Sequence, residues 1–224
     1  MSGTRIIYTG CIGRHAKRKK AYGNRKEAGR NSYLRKIILA SRSKARKELL
    51  RQIGLEFKVV GSKAEESRSL KKSCSDLVIA NALKKAKDVA KRFDRGIVIG
   101  ADTVVLSGKK IIGKPKNIKD AFKTIKILSR GPQWVYSGLA VVDIDNNKIY
   151  TAFEKTKIYM YALKDEQIRR YFKKVSPLDK AGSFDIQGLG GIFIDRIEGC
   201  YFNVVGLPLA KLARILRKAG VHIF

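Results

Sequence analysis

Residues 97–105 read IVIGADTVV, an apolar and largely β-branched run that contains Asp102 and Thr103. This composition predicts a buried strand at the centre of a sheet. A lone carboxylate inside such a strand is costly in free energy unless it is paired or bound to a cation. Two interpretations follow: Asp102 ends the strand and accepts backbone hydrogen bonds, or it belongs to a site that holds a metal ion or activates a water molecule.

Short apolar runs alternate with segments of helical periodicity on both sides of this strand. We predict strands at residues 37–40, 57–60, 96–106, 135–142, 149–161 and 192–194. We predict helices at residues 41–52, from Ser75 or Asp76 onward, after a cap at Asn117, at 165–173 and from Pro208 onward. The two longest strands after residue 130 are joined across residues 145–147 as a hairpin. This mixture predicts an α/β or α+β domain with a mixed sheet.

The chain has 224 residues and a formal net charge of +30, from 49 Lys and Arg against 19 Asp and Glu. Its length suits one large domain or two small ones, and an apolar share of 44% is normal for a globular protein. No apolar run approaches the ~20 residues that cross a bilayer, so we expect no membrane span. The only histidines are His15 and His222, which excludes most histidine-dependent nucleophiles and histidine-ligated metal sites.

The amino-terminal segment contains the basic run Lys17-Arg18-Lys19-Lys20 and shows little periodicity. We predict that residues 1–33 form a basic, disordered extension and that residues 34–224 form a single domain. The extension either contacts nucleic acid non-specifically or is a solvated segment with no role.

The three cysteines, Cys11, Cys74 and Cys200, lie far apart and form no CxxC pair. This pattern predicts reduced thiols and therefore a cytoplasmic location. Residues 1–10 contain no apolar stretch of secretory length, so we expect no signal peptide.

Several other segments allow both an ordinary and a functional interpretation. Residues 41–46, SRSKAR, lie between a strand and a helix, where amides and hydroxyls suit a phosphate or simply cap the helix. Gly113-Lys114-Pro115 places a lysine on a tight turn that is otherwise a surface turn, and Glu65-Glu66 is an acidic pair in a basic chain. Residues 186–191, IQGLGG, form a glycine-rich loop without the spacing of a known phosphate-binding fingerprint.

Taken together and in this order, six segments resemble the Maf family of nucleoside triphosphate pyrophosphatases. The segments are ILASRS at 38–43, GADTV at 100–104, GKP at 113–115, DKAG at 179–182, IQG at 186–188 and VVGLPL at 204–209. The resemblance extends from about Leu34 to the end of the chain. It implies an α/β fold in which a mixed sheet with flanking helices forms two lobes around a cleft, as in inosine triphosphate pyrophosphatases.

The resemblance also implies an activity: hydrolysis of a nucleoside triphosphate to the monophosphate and pyrophosphate, with Mg²⁺ or Mn²⁺, as a house-cleaning reaction of nucleotide pools. The segment Ile186-Gln187-Gly188 resembles the branch that acts on dTTP and UTP. By resemblance, Ser41 and Arg46 bind phosphate, Glu66 and Asp102 hold the metal and activate water, Lys85 and Lys114 lie on the phosphates, and Gln187 lies near the base. Of these, Asp102, Glu66 and Lys85 form the catalytic set. One departure is Lys44-Ala45, where the family usually has Pro-Arg.

Two other functions remain open from the sequence. A basic protein that binds nucleic acid without turnover would account for the net charge, but the sequence reveals neither a reading helix nor an aromatic stacking platform. The second alternative is a degenerate member of the family that is retained to regulate cell division. As partners we expect the triphosphate, no membrane, and nucleic acid only through the basic extension, and we leave a homodimer open.

Overall fold

The computed structural model of the protein describes residues 5–7, by their backbone, and residues 35–68, 73–178 and 180–224. The predicted disorder of residues 1–33 therefore falls mostly outside the described residues, although Arg5–Ile7 forms a short strand. Asp179 of the DKAG segment also lies outside them. In the described residues, no helix has the length and apolar character that a membrane crossing requires.

The described residues form one mixed sheet with helices on both faces. The strands are β1 Arg5–Ile7, β2 Ile37–Leu39, β3 Lys58–Val59, β4 Ile97–Ser107, β5 Lys110–Ile112, β6 Gln133–Asp143, β7 Lys148–Met160 and β8 Ile194–Glu198. The α-helices are α1 Lys44–Gln52, α2 Cys74–Ala90, α3 Ile118–Leu128, α4 Asp165–Lys174, α5 Tyr201–Val205 and α6 Leu209–Lys218. The sheet order is β1-β7-β6-β4-β2-β3, with β5 on β4 and β8 on β7. Strand β2 is parallel to β3 and β4, and the other pairs are antiparallel.

Helix α2 packs directly on one face of the sheet because two glycines leave room for it. A Cβ atom at Gly100 would lie 2.3 Å from the carbonyl oxygen of Ala82, and one at Gly138 would lie 2.2 Å from that of Val78. The side chain of Val98 packs in the same layer, against the buried alanines of α2. Alternation along β4 therefore aims Asp102 at α2 as well.

The opposite face of the sheet carries two separate apolar cores. One core joins β4 and β6 to α1 and α6 and includes Ile97 and Leu212, and the other joins the far ends of these strands to α3 and α4 and includes Val105 and Ile168. Polar groups lie between the two cores: the hydroxyls of Thr103 and Ser137 are 2.8 Å apart, and Ser137 also donates to the Asn203 carbonyl. This division gives the two lobes that the resemblance implies.

One edge of β4 is left open between the lobes. Strand β6 pairs with residues 97–106 along one edge, whereas on the other edge β2 pairs with residues 97–99 and β5 with residues 105–107. Residues 100–104 therefore have no described strand on that edge. We call this gap between β2 and β5 the cleft, and Asp102 is the middle residue of its open stretch.

Most predicted elements are confirmed within a few residues, and two details are wrong. Helix α2 begins at Cys74, because the Ser73 hydroxyl accepts a hydrogen bond from the Asp76 amide and takes the capping role expected of Ser75 or Asp76. The predicted strand at 192–194 is mostly a 3₁₀ helix, Leu189–Phe193, followed by β8. Glycines permit that tight turn: a Cβ at Gly190 would lie 2.7 Å from the Asp185 carbonyl oxygen.

Candidate active site

Asp102 is a buried carboxylate inside β4, only 4% exposed. Lys85 Nζ lies 2.7 Å from its Oδ1, and Asn81 donates from Nδ2 to its Oδ2 at 2.9 Å. The strand continues past it to Ser107, so the interpretation that Asp102 ends the strand is wrong. Its burial is instead balanced by one opposite charge and one amide, both provided by α2.

Lys85 joins the two predicted acidic site residues. Its ammonium lies 2.6 Å from Glu66 Oε1 and 2.7 Å from Asp102 Oδ1, and it donates to the Ala101 carbonyl at 3.4 Å. These contacts engage the three hydrogens of the ammonium group. Each carboxylate keeps an oxygen that Lys85 does not contact, and carboxylate oxygens suit the binding of a divalent cation.

Glu66 is positioned by a loop that runs antiparallel to α2. At one end the Ser62 hydroxyl and the Lys63 amide donate to Asp88, and at the other the Ser67 backbone exchanges two hydrogen bonds of 2.9 Å with the Asn81 side chain. The glutamate between these anchors is half-exposed, with 45% of its side chain accessible. The loop thus carries Glu66 over Lys85 at the rim of the cleft.

The charges around Glu66 keep it ionised. Partial burial raises the pKa of Glu66, but the hydrogen bond and charge of Lys85, together with the charges of Arg46 and Arg68, lower it by more. The resulting pKa lies below its ordinary value. At neutral pH this carboxylate is therefore available to a cation.

Asn81 is the site residue that the sequence analysis missed. It is 1% exposed, and its amide contacts both Asp102 and Ser67, so it links the strand carboxylate to the loop that carries Glu66. Its position one helical turn before Lys85 on α2 is the signal that could have revealed it, because residues four apart share a helix face.

Arg46 is buried on the other side of the gap and contacts protein acceptors. Its guanidinium donates to the carbonyls of Gly206 and Ala101, both at 2.9 Å, to Thr103 Oγ1 at 3.0 Å and to Ser41 Oγ at 3.3 Å. Burial lowers the pKa of Arg46, whereas the charges of Asp102 and Glu66 raise it, and the net direction is downward. In this structure Arg46 and Ser41 line the base of the gap and connect α1, β4 and the α5–α6 turn.

Lys114 and Gln187 are exposed. The Lys114 turn lies beside Arg68, since a Cβ added at Gly113 would lie 2.7 Å from Arg68 Nη1, and the charge of Arg68 acts on Glu66. Gln187 lies in the loop before the 3₁₀ helix Leu189–Phe193, where its backbone amide donates to Asp185 Oδ1 at 3.1 Å. The structure therefore brings Asp102 and Glu66 into contact with Lys85, and the roles of all seven residues stay predictions.

The donor set fits a hard divalent cation that is shared with a phosphate. Within the described residues, no group of three or more His, Cys, Asp and Glu side chains could hold a metal by itself. Glu66 and Asp102 provide two carboxylates, and Mg²⁺ commonly binds one or two carboxylates together with water and substrate phosphates. These oxygen ligands do not suit zinc, which prefers nitrogen and sulfur.

A family model of Maf-like proteins matches residues 36–219, which is most of the chain. The chain belongs to the Maf-like family. Among curated relatives of this Maf-like chain, the dTTP/UTP pyrophosphatase of Methanosarcina barkeri is 46% identical over 192 residues, covering 85% of this chain and 98% of the relative. The dTTP/UTP pyrophosphatase of Dictyoglomus turgidum is 44% identical over 190 residues, covering 84% and 98%. The family prediction is confirmed.

Among solved structures, the Ham1 protein of Staphylococcus aureus matches 56% of this Maf-like chain and 74% of its own, with a TM-score of 0.38 and 16% identity. Protein VC0702 of Vibrio cholerae matches with a TM-score of 0.31 and 11% identity, over 63% of this chain and 68% of its own.

Proposed function

We propose that this protein hydrolyses nucleoside triphosphates, with dTTP and UTP as the expected substrates, to the nucleoside monophosphate and pyrophosphate. The contact of Asp102 and Glu66 with Lys85 at the open edge of β4 carries the proposal. It is supported by the family membership and by the relatives named dTTP/UTP pyrophosphatase, which the match covers over 98% of their length.

Asp102 is the proposed general base. Each of its oxygens accepts one hydrogen bond from α2 and retains a second lone pair, so it can take a proton from an attacking water molecule. The attack at the α-phosphorus forms a phosphorus–oxygen bond and breaks the bond to the bridging oxygen, which leaves with pyrophosphate. Lys85 holds both carboxylates in place and offsets their charge while the proton moves.

Glu66 and Asp102 would hold Mg²⁺ or Mn²⁺ against the triphosphate. When bound, such an ion stabilises negative charge on phosphate oxygens and lowers the pKa of coordinated water. The exposed Lys114 is proposed to contact the phosphates, Ser41 and Arg46 to border them, and Gln187 to lie near the base. The strong positive charge of the chain favours the approach of a substrate with about four negative charges.

The expected cytoplasmic location rests on the thiols. Cys74 and Cys200 are both free cysteines in the described residues. Reduced thiols are typical of the cytoplasm, where the nucleotide pools are also found.

The test is pyrophosphate release from a panel of canonical and modified triphosphates, with Mg²⁺ or Mn²⁺, by the wild type and by Asp102→Asn. The substitution keeps the shape of the side chain and removes the base, so turnover should fall by at least about 10²-fold. Asp94→Asn changes an exposed carboxylate away from the site and is the control, which should retain turnover. Unchanged activity of Asp102→Asn would contradict the assignment of Asp102 as the general base.

A further inference from the structure

In the lobe whose core includes Val105 and Ile168, the sheet is covered by helices on only one face in the described residues. On that face α3 and α4 pack against Val105, Val135 and Ile158. On the other face α2 reaches only as far as the cluster that its first turns form with Val104 and Tyr136. The strand residues beyond this cluster face outward.

The strand register shows which side chains share this outward face. Leu106, Trp134, Lys157 and Glu198 are direct neighbours across β4, β6, β7 and β8. In the flanking rows, Tyr136 is opposite Lys155, and Tyr159 is opposite Arg196. We call the set Trp134, Lys155, Lys157, Tyr159 and Arg196 the aromatic–basic face.

Its cations lie directly over its rings. Lys155 Nζ and Lys157 Nζ are 5.3 and 5.6 Å from the centre of the Trp134 ring. Lys157 Nζ and the Arg196 guanidinium carbon are 4.9 and 3.6 Å from the centre of the Tyr159 ring. Lys155 and Arg196 are exposed, and the other three are half-buried. The face therefore presents alternating π surfaces and positive charges to solvent.

We propose that the aromatic–basic face binds single-stranded nucleic acid. Unpaired bases would stack on Trp134 and Tyr159 or on the Arg196 plane, because every base has a π face and sheets with aromatic side chains can stack successive bases. Lys155 and Lys157 would then leave the rings for the phosphates. A duplex offers no free base faces, so it would bind less well than a single strand.

Charge complementarity favours a nucleic acid over a second copy of the chain as the occupant. The chain has a formal charge of +30, so two copies repel each other, whereas a polyanion is attracted. Asp195 and Glu198 pair with Arg196 and reduce the local charge, which makes base stacking the main source of affinity. The proposal does not rest on nucleotide hydrolysis, because none of the five residues belongs to the candidate active site.

The sole tryptophan of the chain makes a direct test available. The full-length protein is titrated with 20-nucleotide oligo(dT) and oligo(U) and with a duplex of equal length, and Trp134 fluorescence and anisotropy of labelled strands are measured. We expect the single strands, but not the duplex, to quench Trp134 fluorescence. The DNA and RNA arms distinguish the two sources of the same ligand chemistry.

The double variant Lys155→Ala, Lys157→Ala should bind the single strands about tenfold more weakly. The slope of log K against log salt, which is negative, should also become less steep by about 0.7 for each phosphate that the lysines no longer neutralise. The matched control is Lys84→Ala, Lys87→Ala, which removes two exposed lysines of α2 and should leave affinity and quenching nearly unchanged. Pyrophosphate release by both double variants should equal that of the wild type.

Three results would overturn the proposal. One is binding that does not quench Trp134 fluorescence and is unchanged in the Lys155→Ala, Lys157→Ala variant. That result would assign the contact to another basic segment such as residues 17–20. Another is equal quenching by the duplex and the single strands. The third is a dimer in gel filtration that the same variant abolishes, since the occupant would then be a second copy.

Discussion

Asp102 and Asn81 illustrate what a single position reveals and what it conceals. A carboxylate in the run IVIGADTVV conflicts with its apolar neighbours, so the sequence could predict that Asp102 needs a partner. An asparagine in a helix conflicts with nothing, and its role became visible only when the fold placed it 2.9 Å from Asp102 and from the Ser67 carbonyl. Charges in apolar segments are therefore predictable, whereas the neutral residues that position them are not.

Asn81→Ala should lower kcat/KM by about tenfold or more, because it removes the hydrogen bonds that connect the Glu66 loop to Asp102. It should also cost about 1–3 kcal/mol of stability, since its hydrogen bonds with the Ser67 amide and carbonyl are lost. Both quantities are measured, by pyrophosphate release and by thermal unfolding.

The control for that variant is Asn117→Ala. Asn117 caps α3 through the Asp120 amide, and loss of a cap costs about 1 kcal/mol without touching the site. A positioning role predicts that Asn81→Ala loses far more activity than Asn117→Ala at similar stability. Equal activities would assign Asn81 to stability only.

At the scale of elements, the contact between α2 and the sheet decides where Lys85 lies. Gly138→Ala should destabilise the protein by about 1–3 kcal/mol, because its Cβ would lie 2.2 Å from the Val78 carbonyl oxygen and α2 would have to shift. Gly131→Ala is the control, because a Cβ there meets nothing within 4 Å. Thermal unfolding measures the stability of both variants. Similar melting temperatures would show that α2 can shift away from the added Cβ at no cost in stability.

The ends of three elements meet at Arg35. Its guanidinium pairs with Asp143 at the end of β6 and with Asp145 in the hairpin, and it donates to the Ala219 carbonyl after α6 at 2.6 Å. Burial raises the pKa of Asp143, but Arg35 and Asn146 lower it by more, so the net direction is downward. A carboxyl group with a lowered pKa stabilises the fold above its unfolded pKa and loses that contribution as the pH falls through its folded pKa.

Asp143→Asn should therefore cost about 1–3 kcal/mol at pH 7, and this cost should shrink as the pH falls below about 4, the ordinary pKa of an aspartate, and through the lower pKa of folded Asp143. Urea unfolding at a series of pH values measures the difference. Asp94→Asn, at an exposed position, should differ little from the wild type at every pH. A cost for Asp143→Asn that is constant down to pH 2 would contradict the assignment.

Most helices and strands could be predicted from the sequence because their periodicity is local. The prediction failed for elements whose structure depends on contacts with residues distant in sequence. Helix α5 has five residues and no apolar period of its own, and its Asn203 is held by Val135 and Thr156 from two strands. The aromatic–basic face was missed for the same reason: Trp134, Lys157 and Arg196 are far apart in sequence and are brought together by strand register.

At the scale of the whole molecule, the prediction concerns the amino-terminal segment. A chain that begins at Leu34 should retain nucleotide turnover and melt within a few degrees of the full-length protein, because β1 adds only three residues to the edge of β7. Full-length protein in which residues 17–20 are changed to serine separates the effect of charge from that of the strand. Loss of turnover on truncation, but not on the serine change, would make the segment an integral part of the domain.

The open edge of β4 has a consequence for how separable the lobes are. Strands β4, β6 and β7 run unbroken through both cores, whereas β2 and β3 belong to one side and β5 and β8 to the other. Strands β4, β6 and β7 are thus shared by the two lobes, unlike the strands of domains that are joined by a linker. We therefore expect that neither lobe folds by itself or can be exchanged between relatives as a module, and that any opening of the cleft bends continuous strands instead of turning a hinge.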